Sequence, residues 1–176
     1  MPVQMIADSH PLIVKNIVWQ DETATESFAR GLASQPAIGR ALIELQGDLG
    51  AGKTTFARHL LKSMGVQGRI KSPTYAVVEA YSLAAPKQQG GHNPGQGPDL
   101  CIWHFDFYRF NNPNEWEEAG FRELFASPGL KLVEWPEKAA GHLPQPDLVI
   151  AIDMLANETR SIALKAYTPT GVELLA

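Results

Sequence analysis

A single cysteine, Cys101, occurs in 176 residues, so the chain can close no internal disulfide and build no cysteine-based zinc cluster. A reducing compartment is the expected setting. No apolar run approaches the roughly 18 residues that span a bilayer, and Met1 to Lys15 lacks the cationic start and unbroken apolar stretch of a secretory leader. A cytoplasmic protein with no membrane attachment is expected. Positive charge is also short: 15 Lys plus Arg stand against 19 Asp plus Glu, a net charge of −4. That balance argues against a surface that grips a nucleic-acid backbone by itself. What the chain does have is 44% hydrophobic residues, enough for one core, at a length that predicts a single domain over residues 1–176.

The first fourteen residues carry Pro2 and Pro11 and no clear period, and read as a loose tail before a strand at Asn16 to Gln20. Thr23-Ala24-Thr25-Glu26 has capping-box form and predicts a helix to about Ser34. Ala41 to Leu45 is a buried-type strand, and Lys53 to Met64 spaces Phe56, Leu60, Leu61 and Met64 as a helix does, ending at Gly65. Strands are predicted at Thr74 to Tyr81, Leu100 to Tyr108 and Leu130 to Glu134, and short helices at Asn114 to Glu118 and Phe121 to Phe125. Residues 82–99 are rich in Gly, Pro and Gln, too poor in apolar groups to order themselves, and read as a flexible hairpin loop. Asp147 to Leu155 and Thr159 to Tyr167 alternate about a three-residue turn, which predicts an antiparallel hairpin at the C-terminal end.

Between the Ala41 to Leu45 strand and the helix that follows, Gly47-Asp48-Leu49-Gly50-Ala51-Gly52-Lys53-Thr54 fits G-x-x-x-x-G-K-[S/T]. Glycines let backbone amides turn toward a phosphate without a Cβ clash, and the helix beginning at Lys53 adds the positive end of its dipole. Lys53 brings a compact charge to the outer phosphates, and the Thr54 hydroxyl suits a magnesium ion bridging them. Such a loop needs an acid at a strand end. Asp106, Glu134 and Asp153 are the candidates, with Asp153 read as an edge acid inside the hairpin. Strand alternation groups His104 and Tyr108 with Asp106, where His104 either tunes that acid or is an ordinary packed residue. Trp135 and Pro136 stop the strand at Glu134 and set its carboxylate at a loop edge. Thr74, in Lys71 to Tyr75, is either a phosphate-sensing switch residue or part of a simple turn. Arg109, just beyond Asp106, either contacts a phosphate or plays the more common structural role beside a neighbouring carboxylate.

Four motifs in order, Gly-Asp-Leu-Gly-Ala-Gly-Lys-Thr-Thr (47–55), Ser-Pro-Thr-Tyr (72–75), His-Phe-Asp-Phe-Tyr-Arg (104–109) and Val-Glu-Trp-Pro (133–136), resemble the TsaE (YjeE) family. The resemblance runs from about Thr23 to the final hairpin. It implies an α/β fold, a P-loop NTPase-like three-layer sandwich with a mixed, largely parallel central sheet and a C-terminal antiparallel hairpin. It also implies slow hydrolysis of ATP with Mg²⁺ in support of threonylcarbamoyladenosine modification of tRNA A37. The implied partner is the TsaB–TsaD heterodimer, which the ATPase resets between turnovers, and tRNA is met only through that complex. Carried over by motif, Gly47, Asp48, Leu49, Gly50, Ala51, Gly52, Lys53, Thr54, Thr55 and Thr74 would surround the nucleotide. Thr54 and Asp106 would hold the metal, Lys53, Asp106 and Glu134 would act in hydrolysis, and Trp135 would belong to the same edge or simply pack. The long 82–99 loop departs from the family pattern.

The rival reading is a small-molecule kinase of the P-loop class. A kinase clamps the transferring phosphoryl group with arginines on a lid, and between Phe107 and Pro146 only Arg109 and Arg122 occur. A GTPase would need a guanine-reading Asn-Lys-x-Asp segment, which is absent. A module that binds nucleotide without turning it over is the third reading.

Overall fold

The computed structural model describes residues 10–84 and 99–176. Among these residues seven strands form one sheet in the order β1-β7-β6-β2-β5-β4-β3. They are β1 (Ile13–Trp19), β2 (Leu42–Gln46), β3 (Val78–Leu83), β4 (Leu100–Asp106), β5 (Leu130–Glu134), β6 (Leu148–Met154) and β7 (Arg160–Ala166). The central pairings β6·β2, β2·β5 and β5·β4 are parallel, and the flanking β1·β7, β7·β6 and β4·β3 are antiparallel. This is the expected P-loop NTPase-like α/β fold with its C-terminal hairpin.

The helices divide between the two faces. On one, α1 (Glu22–Ala33), α2 (Lys53–Ser63) and α5 (Pro169–Leu174) cover a core that includes Ile43, Leu45, Phe56, Leu60, Ile102, Leu132 and Ile150. Trp19, at the end of β1, stacks on Phe56 and tilts against Phe28, which locks the first strand to both long helices. On the other face, α3 (Glu115–Glu118) and α4 (Phe121–Ala126) bring Trp116, Phe121 and Phe125 onto Phe105 and Val133. Ile102 belongs to the first core and Phe105 to the second, as the β4 alternation requires.

Several expectations move. The α1 cap is Asp21, whose carboxylate accepts from the Ala24 amide at 2.9 Å, so the cap precedes the Thr23 motif by two residues. The predicted tail gives up Ile13 and Val14 to β1, while residues 1–9 lie outside the described residues. β3 starts at Val78 rather than Thr74, because Val77 takes a left-handed φ of 69° and its amide bonds the Pro73 carbonyl, closing a turn over 73–77. Ser82 and Leu83, placed in the 82–99 loop by sequence, extend β3, and 85–98 lie outside the described residues. The β3·β4 pairing is nonetheless the antiparallel hairpin that the loop was expected to join. α5 was not foreseen: Thr168 caps it by accepting from the Gly171 amide at 3.2 Å. Among the described residues no helix is long and apolar enough to cross a membrane.

Glu44 sits mid-strand in β2 and is 8% exposed. Burial first, with Glu137 adding to it against a hydrogen bond from Gln46, pushes its pKa up to about 7 from 4.5. The folded state therefore keeps a proton that the unfolded chain releases near 4.5, and this contribution is full below that pH and lost as pH rises through about 7. We expect Glu44→Gln to flatten the decline in stability between about pH 5 and pH 8, and to gain about 2 kcal/mol over the parent protein at the upper end. Urea melts of both proteins across that range check it; parallel pH profiles would refute the assignment.

Candidate functional site

Parallel pairing carries the C-terminal ends of β2, β5 and β4 to the same edge of the sheet, with Leu45 level with Glu134 and Glu134 level with Asp106. The glycine-rich loop leaves β2 at that edge and enters α2 at Lys53. Gly47 has φ of 145°, and a Cβ there would lie 2.4 Å from the Ile152 carbonyl oxygen, so only glycine lets the loop depart so close to β6. Beneath the loop opens a cleft of about 270 Å³. Leu49, Gly50, Gly52, Lys53, Thr54, Thr55, Thr74, Asp106 and Glu134 all line it, joined by Ser72, Tyr108 and Trp135.

Three residues of the loop serve differently. The Gly47 and Asp48 carbonyls accept from the Lys53 ammonium, and Ala51 is buried, its carbonyl accepting from Arg160 Nε at 3.1 Å. Arg160 thus braces the loop from β7. The Lys53 ammonium also lies 4.1 Å from the centre of the Trp135 ring, which tilts against Tyr108 at 5.0 Å. Burial holds the Lys53 pKa below its ordinary value, while Glu134, Glu137, Asp106 and Asp48 pull it back up. An arriving phosphate would add to the second effect and replace the loop carbonyls as the partner of the ammonium.

Both acids are almost wholly buried, Glu134 at 1% and Asp106 at 3% exposure, and each is fully engaged. Asp106 accepts from the Tyr108 amide at 3.0 Å, from Thr74 Oγ1 at 2.9 Å and from Ser72 Oγ. Glu134 accepts from Thr54 Oγ1 at 2.9 and 3.2 Å and bonds His104 Nε2 at 2.8 Å. Thr54 therefore meets Glu134, not Asp106, in this arrangement. Because its hydroxyl donates to Glu134, its oxygen lone pairs stay free for a cation. His104, grouped with Asp106 by alternation, instead bonds Glu134 on the neighbouring strand. Among the described residues no group of three or more His, Cys, Asp or Glu side chains could hold a metal by itself. A hydroxyl and nearby carboxylates suit magnesium, which takes few protein ligands and completes its shell with phosphate oxygens and water.

The remaining candidates separate from the cleft. Asp153 is exposed on β6, and the Arg109 guanidinium stacks on Tyr75 at 4.0 Å. Sequence reasoning missed Ser72 as a ligand of Asp106 and Arg160 as a brace. Ser72 stood inside a quoted motif; nothing in the sequence ties Arg160 to a loop that lies 109 residues away from it.

The family model for "Threonylcarbamoyl adenosine biosynthesis protein TsaE" matches residues 19–162. The chain belongs to the TsaE family. Among curated relatives, the Haemophilus influenzae protein named tRNA threonylcarbamoyladenosine biosynthesis protein TsaE is 39% identical over 150 residues, 85% of each chain. The Bacillus subtilis protein of the same name is 32% identical over 87% of each chain. The crystal structure of Bacillus subtilis YdiB matches with a TM-score of 0.66 at 28% identity, covering 93% of both chains.

Replacing Gly47 by alanine should collapse this TsaE-family loop. We expect a loss of about 1–3 kcal/mol in stability, from the φ and the 2.4 Å clash together. Thermal melts measure it; an unchanged melting temperature would show that the loop reforms around the new Cβ.

Proposed function

We propose that the protein is a magnesium-dependent ATPase of tRNA threonylcarbamoyladenosine biosynthesis, working in the cytoplasm. The observation that carries the reading is the convergence of Lys53, Thr54, Asp106 and Glu134 on one cleft beneath a glycine-rich loop. Lys53 binds the β and γ phosphates of ATP, and the loop from Gly47 to Gly52, with Thr55 behind it, shapes their seat. Thr54 and Asp106 would hold magnesium, which when bound supplies charge neutralisation at the phosphate oxygens. Thr74 and Ser72, now bonded to Asp106, lie where a change at that carboxylate is transmitted directly to the 73–77 turn. Glu134 orients the water that attacks the γ phosphorus, and Trp135 covers Lys53 at the cleft wall.

Hydrolysis of this kind is mostly positioning and electrostatics, so a site short of one group turns over slowly until a partner completes it. The TsaB–TsaD heterodimer is the partner we assign, with ATP turnover resetting it between rounds of transfer and tRNA approached only through the complex. A small-molecule kinase fits less well, because among the described residues no arginine lines the cleft. Arg109 lies on Tyr75, Arg122 pairs with Glu117 and Arg160 holds Ala51.

The test is ATP hydrolysis with magnesium by the parent protein, Lys53→Ala and Glu134→Gln, each alone and with TsaB–TsaD, alongside counts of modified tRNA over many turnovers. We expect Lys53→Ala to abolish ATP binding. Glu134→Gln should bind ATP but lose about 100-fold or more in turnover. Partner stimulation and sustained modification should require both residues. Hydrolysis that ignores the pair, with ADP formed only when a metabolite pool is supplied, would favour the kinase instead.

A further inference from the structure

His104 is fully buried, and Glu134 is its one described side-chain hydrogen-bond partner. A carboxylate oxygen only accepts, so the ring hydrogen belongs on Nε2 and Nδ1 is left as a bare acceptor. That nitrogen is buried with no hydrogen-bond partner among the described residues. A buried polar atom left so is costly, and an apolar side chain of similar size would avoid that cost. Packing therefore gives no reason for an imidazole here. The bond to Glu134 does.

The register explains how the two meet. Asp106 lies level with Glu134 and His104 with Leu132, so the imidazole reaches the carboxylate diagonally from one step back along the parallel pair. Glu134 lines the cleft, and His104 does not. Thr54 approaches the same carboxylate and makes its shorter bond, 2.9 Å, to Oε2, leaving Oε1 to His104 at 2.8 Å. With Oε1 pinned from behind, the carboxylate cannot rotate about its last carbon–carbon bond, and Oε2 keeps its aim at whatever fills the cleft.

We infer that His104 is a positioning residue for ATP hydrolysis: its Nε2–H fixes the Glu134 carboxylate so that Oε2 faces the attacking water. The inference rests on the role given to Glu134 above. His104 touches neither nucleotide nor metal, and its whole influence passes through that one bond.

Substitution separates this from a structural role. In the full chain, His104→Leu removes the donor, and His104→Gln retains an N–H at about the reach of Nε2. His104→Asn places its amide where Nδ1 stood. For each, together with Glu134→Gln, we would measure the ATP dissociation constant, single-turnover hydrolysis and the melting temperature. Expected is a fall in hydrolysis of about 10- to 100-fold for His104→Leu and His104→Asn, with ATP affinity held within about twofold, and recovery of most of the rate in His104→Gln. A defect confined to packing would instead move affinity, rate and melting temperature together and would not be rescued by glutamine. If His104→Leu fails to fold, the comparison of His104→Gln with His104→Asn decides the matter, and equal rates in those two overturn the proposal. Parent-like rates in every His104 variant while Glu134→Gln is inactive also overturn it and leave the ATPase reading intact. A fully active Glu134→Gln removes the role given to Glu134 and, with it, this proposal.

Discussion

Parallel register across β2, β5 and β4 is the constraint on which everything at the cleft depends. A loop that cradles phosphate and two carboxylates can serve one ligand only if three separate strands end at the same level and point the same way. Leu45, Glu134 and Asp106 do so because each strand is buried on both faces, between the aliphatic core under α1 and α2 and the aromatic core under α3 and α4. A strand of opposite direction at the β5 position would carry its carboxylate to the far edge of the sheet, out of reach of Thr54.

Within that frame the polar groups satisfy one another. Lys53 is held by loop carbonyls and faced by Trp135, Asp106 by Ser72 and Thr74, and Glu134 by Thr54 and His104. Carboxylates as buried as these would be strongly destabilised without such partners. Two of these groups also have a counterpart in the proposed chemistry: the ammonium exchanges carbonyls for phosphate, and the Thr54 hydroxyl, while donating to Glu134, offers its lone pairs to a cation. Trp135, held at a left-handed φ of 57° between the last residue of β5 and Pro136, is the strained junction that lets Glu134 and the indole share one wall of the cleft.

Much of this is legible in the sequence. The glycine-rich loop, its preceding strand and its helix are local features, and the end of β5 was legible because Trp135-Pro136 follows Glu134. The four motifs named the residues that line the cleft. Pairing across strands was not legible. Alternation along β4 rightly put His104 and Asp106 on one face, but only the register with β5 reveals that His104 bonds Glu134. The Asp21 cap was hidden by a capping-box motif two residues later that satisfies the same rule. The late start of β3 turns on a valine in a backbone conformation that its β-branched side chain disfavours, which propensity reads in the opposite sense.

The contacts that make the cleft span long stretches of chain: 80 residues separate Thr54 from Glu134, 32 separate Thr74 from Asp106 and 30 separate His104 from Glu134. Hairpins such as β6·β7 can form from neighbouring sequence, whereas the middle of the sheet waits for distant segments to find one another, the slow part of any search with high contact order. The cleft thus comes into being at the step that completes the fold. A ligand that recognises only the completed cleft favours the folded state by mass action, so it acts as a clasp across the centre of the sheet and slows the parting of strands it never touches.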